Sequence, residues 1–171
     1  AMKNSKMTYL NVSTLSLRGK PHPAVCGAQT TSEVKEMRPH IKMLCGDYYS
    51  YAVRAAQAGG SSHCRLCGFV VEDINHILNC PATATAKQSI MGRLRSEVEQ
   101  TKISINFDNL SKSKHLTQFI LDNTSLNLPK EFRVSFYDPV VPNIFTAARK
   151  LVNAVHTERI RQLKFLEKTA N

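Results

Sequence analysis

Apolar residues recur at helical spacing in several stretches of this 171-residue chain, and polar, glycine- or proline-containing segments separate these stretches. The first stretch begins at Thr31 or Ser32, and either residue can cap a helix. Its apolar stripe consists of Val34, Met37, Ile41 and Leu44. Pro39 either kinks this helix or marks its true start. The pattern therefore predicts a helix that ends before Gly46.

Two more helices are predicted in the first hundred residues. A short one spans 48–58, with Asp47 as its cap and Gly59 and Gly60 after its end. A longer one spans 84–100. Its inner stripe consists of Ala86, Ile90, Met91, Leu94 and Val98.

The second half of the chain predicts two further helices. A short one spans 113–121, with three residues inward: Leu116, Phe119 and Ile120. The last begins near Pro139 or Pro142, since proline is favoured in a first turn, and it runs to about residue 168. Its inner stripe consists of Ile144, Ala148, Leu151, Val155 and Leu166. Brief strands are indicated at 8–10 and where three apolar residues alternate: Phe132, Val134 and Phe136.

A cysteine and histidine motif lies between the second and third predicted helices. It reads Cys64-x2-Cys67-x8-His76-x3-Cys80. A Cys-x2-Cys pair forms a tight knuckle, and Gly68 directly after it is free to adopt a strained conformation. His76 and Cys80 are four residues apart, so they share one face of a helix that Asp73 can cap.

Three thiolates and one imidazole at this spacing suit tetrahedral Zn²⁺, and four protein ligands leave no open position. We therefore expect a structural zinc site rather than a catalytic one. His63 could compete as a ligand, but it precedes the knuckle and is expected to point away. The odd total of five cysteines argues against a closed set of disulfides and favours a reducing, intracellular compartment. Cys26 and Cys45 are expected to be small buried thiols without chemistry.

The elements together predict a mostly α fold, a helical domain with a small CCHC zinc module inserted between helices. Residues 1–32 are predicted to be an irregular N-terminal arm, and 33–100 the helices plus the zinc module. Residues 101–171 are predicted to be a C-terminal helical part that packs on the same core. No stretch approaches the roughly 20 apolar residues of a membrane helix, and the first six residues lack the apolar run of a secretory signal.

The chain carries 23 Lys and Arg against 13 Asp and Glu, for a net charge of +10. The excess lies on both sides of segment 61–81, which itself holds one basic and two acidic residues. This charge favours a polyanion such as RNA or DNA. The candidate phosphate contacts are Arg38, Lys42, Arg54, Arg65, Arg93, Arg95, Arg149, Lys150, Arg159, Arg161 and Lys164. Three tyrosines could stack on unpaired bases: Tyr48, Tyr49 and Tyr51.

One region of the chain resembles a known family. Residues 37–48 and 58–60, then Cys64-Arg-Leu-Cys67-Gly68, then Glu72-x-x-x-His76-Ile-Leu-x-Cys80-Pro81 are similar to the C-terminal region of non-LTR (LINE-type) retrotransposon polyproteins. The resemblance covers about residues 37–95. It implies zinc-ligand roles for the four motif residues and a position downstream of a reverse transcriptase. It also implies binding of template RNA or target DNA during target-primed reverse transcription, and a nuclear location. A host-domesticated copy would show the same sequence pattern.

The function expected from these observations is that of a zinc-stabilised nucleic-acid-binding module. The alternative is a protein-interaction module, in which zinc holds a platform for another domain of the parent polyprotein or for a host factor. An enzyme is not expected, because the zinc sphere is closed and the chain lacks the paired-aspartate motif of the polymerase. It also lacks the motif of the restriction-like endonuclease, since Asp138-Pro139 is in the reverse order.

Overall fold

The computed structural model describes residues 30–100 and 104–170. Within these ranges the chain forms seven α-helices: α1 Thr31–Leu44, α2 Tyr51–Ala58, α3 Ile74–Asn79, α4 Ala84–Glu99, α5 Phe107–Lys112, α6 Leu116–Leu121 and α7 Val141–Thr169. Two 3-10 turns complete the set, at Pro81–Thr83 and Lys130–Phe132. The β structure of the described part is an isolated antiparallel bridge between His63 and Val71. The prediction of a mostly α fold with a small Cys/His module between helices is confirmed. The predicted strand at 8–10 and Cys26 lie outside the described residues.

Helix α7 is the central element of the core. It has 29 residues and is therefore about 44 Å long, and α4, α1 and α6 pack against it. Four of its predicted stripe residues are fully buried: Ile144, Ala148, Leu151 and Val155. Leu166 is only half-buried, because the last turns of the helix extend beyond the core. Each large apolar side chain buried along α7 stabilises the fold by about 1.5–3 kcal/mol.

Helix α1 begins one residue earlier than predicted, and only part of its predicted stripe faces the core, since Leu44 is buried and Ile41 packs partly against it. Thr30 is the cap, and its side chain and that of Glu33 form a capping box. Pro39 lies inside the helix and does not mark its start. The buried residues are Pro39, His40, Met43 and Leu44, whereas Val34 is 43% exposed. The difference arises because only the second half of α1 reaches α7, and the first half extends into solvent.

Helix α2 starts three residues later than predicted. Ser50, not Asp47, is its cap, and the Ser50 hydroxyl oxygen accepts a hydrogen bond from the Val53 N–H at 3.3 Å. The reason is Tyr48, which is only 3% exposed and inserts into the core instead of beginning a helix. Segment 45–50 is therefore a turn that places Tyr48 and its neighbours against α7.

The segment before α7 differs most from the prediction. The predicted helix over 113–121 is shortened to α6, and a separate helix, α5, precedes it with Asn106 as its cap. The predicted strand around Val134 is wrong, because Phe132 belongs to a 3-10 turn and the Val134 N–H bonds to the Asn123 carbonyl across a loop. Residues 122–125 are polar and buried, and an Asp122 carboxylate oxygen accepts from the Thr124 N–H and hydroxyl. Local polar bonds of this kind compete with regular structure.

Buried residues from both halves of the chain form one hydrophobic cluster, which runs from Met43 to Val155. The division into an arm and two further parts stays a prediction. Among the described helices, none combines the length and the apolar character that crossing a bilayer requires.

Candidate metal centre and basic groove

The knuckle that carries Cys64 and Cys67 is a small hairpin. The Cys64 N–H donates to the Val70 carbonyl at 2.9 Å, and the Glu72 N–H donates to the Ser62 carbonyl at 2.8 Å. At the turn, Gly68 has a φ of 75° and its N–H donates to the Cys64 carbonyl at 2.7 Å. Side chains other than glycine rarely adopt this conformation, so Gly68 allows both sulfurs to face the same side.

Helix α3 brings the second half of the motif to the knuckle. Asp73 caps the helix as predicted, and its carboxylate accepts from the His76 N–H at 2.7 Å. Ile77 and Leu78 anchor the helix in the core, each at 1% exposure. His76 therefore turns toward the knuckle, and Cys80 follows directly after the helix, in an extended conformation that Pro81 favours.

The four motif residues converge on one point. Their potential ligand atoms all lie within 4.8 Å of one another. The Cys64 and Cys80 sulfurs are 3.9 Å apart, and Cys67 Sγ is 3.4 Å from His76 Nε2. A tetrahedral Zn²⁺ with bonds of about 2.3 Å to sulfur and about 2.0 Å to nitrogen requires edges of about 3.8 Å and about 3.5 Å. The set could hold a metal ion, and its Cys₃His chemistry and dimensions suit Zn²⁺.

Backbone N–H groups surround the sulfurs in the way a thiolate site needs. Those of Cys67 and Leu66 point at Cys64, and that of Ala82 points at Cys80. Burial nevertheless raises the pKa of Cys64 to about 12, and burial also raises the pKa of Cys80. The Phe69 N–H lowers the pKa of Cys67. A bound cation would supply the positive charge that holds all three as thiolates.

His63 lies outside this cluster. It is exposed, and its backbone forms the bridge to Val71 that closes the hairpin. The four residues of the motif alone could therefore complete a tetrahedral sphere, and a metal held there would organise the fold rather than activate a substrate.

No family model, curated protein or solved structure matches this chain.

The predicted nucleic-acid-binding residues fall into two groups. One group lines a groove of about 610 Å³ between α1, segment 48–54 and α7: Arg38, Lys42, Tyr48, Tyr49, Tyr51, Arg54 and Arg159. We call this the basic groove. Lys35 and His156 also line it, and sequence reasoning did not single out either residue. Lys35 could have been predicted, because it lies at helical spacing from Arg38 and Lys42. No local sequence pattern indicates His156.

The other predicted contacts are placed elsewhere. Arg65, Arg93 and Lys164 are exposed, and Lys150 is half-buried. Arg95 pairs with Asp108 and Glu99, and Arg161 pairs with Glu158 at 2.6 Å. Arg149 is only 6% exposed. None of these residues lines the groove, and burial removes Arg149 from the exposed cations.

Arg159 lies in the groove wall but is not a free surface cation. It is 6% exposed, and its guanidinium forms an ion pair with Glu72 through Nη2 at 2.5 Å and Nε at 3.2 Å. Glu72 is 1% exposed and also accepts from the Tyr51 N–H at 3.0 Å. The Glu72 carbonyl accepts from the Ala52 N–H at 3.2 Å. Glu72 thus joins the hairpin that carries Cys64 and Cys67 to the start of α2 and to α7.

Tyr48 forms the buried floor of the groove, so its ring does not offer a stacking face to solvent. Its hydroxyl is hydrogen-bonded to His156 Nδ1 at 2.5 Å, and the Arg159 guanidinium lies 5.8 Å from its ring centre. Tyr49, by contrast, is 59% exposed. Of the three tyrosines predicted to stack on bases, Tyr48 is buried, Tyr51 is half-buried and Tyr49 has most of its surface in solvent.

The surroundings of His156 make stability depend on pH. Burial and the charges of Arg159 and Lys42 lower the pKa of His156. Between that lowered pKa and the unfolded value of about 6.5, the unfolded chain binds a proton that the folded chain does not. The free energy of unfolding should therefore have its full value above about pH 6.5 and should decrease as the pH drops through this window.

Urea unfolding of the parent and of His156→Gln at pH 7.5 and 5.5 tests this dependence. The variant should lose less stability between the two pH values, because it removes the proton uptake, while acid release of metal affects both proteins alike. An equal loss in parent and variant would contradict the assignment.

Proposed function

We propose that this protein is a zinc-stabilised nucleic-acid-binding module of the non-LTR retrotransposon type. The observation that carries the proposal is the basic groove, which gathers four exposed cations beside an exposed tyrosine and is joined to the Cys₃His cluster through Glu72. The cations are Lys35, Arg38, Lys42 and Arg54. Sugar-phosphate backbones are the partners that such a cluster of Lys and Arg favours.

The metal's role in this proposal is structural. Cys64, Cys67, His76 and Cys80 would hold Zn²⁺, which supplies a fixed cross-link between the hairpin and α3. Asn79 Nδ2 donates to the Thr117 hydroxyl at 3.1 Å, so α3 is in turn bonded to α6. The metal would thereby order the helices that carry the cations. We expect no catalytic activity from this segment, because four protein ligands close the coordination sphere.

The retrotransposon assignment rests on the motif residues and their surroundings. The spacing Cys64-x2-Cys67-x8-His76-x3-Cys80, with Glu72 before the histidine and Pro81 after the last cysteine, supports it. Under this proposal the segment handles template RNA or target DNA for a reverse transcriptase that lies elsewhere in the parent polyprotein, in the nucleus.

Binding should depend strongly on salt. If each of the four groove cations neutralises one phosphate, log K should fall with log salt at a slope of about −3 for a single strand and about −3.6 for a duplex. Fluorescence anisotropy with single- and double-stranded RNA and DNA, in a series of salt concentrations, measures this slope. Affinity that does not change with salt concentration, or no binding to any of the four nucleic acids, would contradict the proposed function.

A protein-interaction role is the second candidate, and a specific observation favours it. The tip of the knuckle exposes three apolar residues: Phe69 at 83%, Val70 at 45% and Val71 at 46%. Apolar side chains this exposed often mark contact sites. Phe69→Ser should leave nucleic-acid affinity unchanged if the groove binds the nucleic acid, and a loss of affinity would place the knuckle in the interface.

A further inference from the structure

The basic groove has one cationic wall with a regular repeat. Lys35, Arg38 and Lys42 stand three and four residues apart on α1, so their side chains share one face at intervals of about 4.5 and 6 Å along the axis. Arg54 on α2 adds a fourth cation to the lining. A row of this kind complements the repeated charges of a sugar-phosphate backbone better than a single phosphate.

Aromatic residues stand in the same groove. Tyr49 is 59% exposed, and Tyr51 is half-buried with guanidinium groups 5.9 Å from its ring centre, those of Arg54 and Arg159. The two arginines and the Glu72 bond to the Tyr51 N–H hold Tyr51 in place. Tyr49 has its ring largely in solvent, where it can stack on a base that is not already stacked in a duplex.

The form of the nucleic acid decides whether a base can reach the groove. The groove volume of about 610 Å³ lies within the range of ligand-binding clefts. A duplex keeps its bases paired and stacked, so it could meet the cations at the rim but could not place a base against Tyr49.

We infer that the basic groove is a binding site for single-stranded nucleic acid, with the strand's phosphates along Lys35, Arg38 and Lys42 and an unpaired base on Tyr49. The inference rests on the proposed function and deepens it, since it assigns one site and one strand form. Single-stranded RNA and DNA share the chemistry that the site recognises. The strand would contact no zinc ligand, and the metal module would act on it only through Glu72 and Arg159.

The test compares matched variants of the zinc-loaded chain by fluorescence anisotropy with labelled U12 RNA, T12 DNA and a 12-bp duplex. Tyr49→Ala should weaken binding of a single strand about tenfold and leave duplex binding nearly unchanged. Tyr49→Phe keeps the ring and should restore single-strand affinity. Tyr137→Ala, at a tyrosine that is 68% exposed and outside the groove, should bind like the parent.

Charge is tested in the same way. Arg38→Ala/Lys42→Ala should reduce the single-strand salt slope by about 1.4, because two phosphate contacts are lost. Lys112→Ala/Lys114→Ala removes the same charge from exposed residues outside the groove and should leave the slope unchanged. Melting of each variant shows that it is folded.

The outcomes separate the two proposals. Parental single-strand affinity in Tyr49→Ala, or equal losses in the two double variants, would overturn the groove as the single-strand site while the parent's binding still supports the proposed function. No binding by the parent to any probe would overturn both. Selective loss in the groove variants for U12 alone or T12 alone would support the site and identify its natural strand as RNA or DNA.

Discussion

Replacing Cys64 by serine is expected to remove the metal and unfold the Cys₃His module. Structural Zn²⁺ binding contributes an apparent 10–16 kcal/mol in small sites, which is about as large as the whole stability of a typical domain. The hairpin has only a few backbone bonds and the isolated His63–Val71 bridge to replace it. Metal content should fall below one ion per chain, and thermal melting should occur earlier and less cooperatively.

The chain offers matched controls for this result. Cys45 is a half-buried free thiol outside the cluster, so Cys45→Ser should keep one metal ion and the parental melting curve. His76→Ala should behave like Cys64→Ser, whereas His63→Ala should behave like the parent. Full metal content and unchanged melting in Cys64→Ser would show that the ligand set is wrong.

Replacing Glu72 by alanine is the second change with a large expected effect. It leaves the Arg159 guanidinium buried without its partner and removes the acceptor of the Tyr51 N–H. Loss of one partner from a buried pair costs about 3–5 kcal/mol. For a chain of this size, that corresponds to a fall in melting temperature of about 6–20 °C.

The control for Glu72 is Glu158, which pairs with an exposed arginine, Arg161. Glu158→Ala should leave the melting temperature nearly unchanged, because surface pairs contribute little. The double variant Glu72→Met/Arg159→Met should recover much of the loss, since it replaces both charges with apolar groups of similar size. A Glu72→Ala protein as stable as the parent would mean that the pair does not join the hairpin to α7.

The sequence predicted best those features that depend on near neighbours. The spacing of Cys64, Cys67, His76 and Cys80 and the cap at Asp73 follow from the geometry of a knuckle and one helical turn, and the structure has both. The long helix α7 was predicted within about two residues at each end, because its apolar stripe is regular and prolines mark its start. Four residues of that stripe proved to be buried in the core.

The basic groove could not be predicted in the same way, because it depends on contacts between distant parts of the chain. Tyr48 meets His156 across 108 positions, and Glu72 meets Arg159 across 87. The local sequence pattern predicts that Arg159 is an exposed cation on an amphipathic helix. Only the folded structure shows that it is the buried partner of Glu72. The exposed cations beside it belong to α1 and α2.

The segment between α6 and α7 also shows features that local pattern does not reveal. Residues 122–125 are polar, yet they are buried, and they form local bonds such as those between Asp122 and Thr124. The alternation of Phe132 and Val134 mimics a strand, but the described structure provides no neighbouring strand with which it could pair. At Phe132 and Val134, packing with the rest of the fold overrides the local propensity for a strand.

The central claim is that a metal-held module presents a nucleic-acid-binding groove. The most direct test measures the affinity of the full chain for labelled U12 and T12 at one salt concentration, in three forms: metal-loaded, chelator-treated and reconstituted with Zn²⁺. We predict binding by the loaded form, clear weakening after the metal is removed, and recovery on reconstitution. Unchanged affinity after verified removal of the metal would contradict the claim.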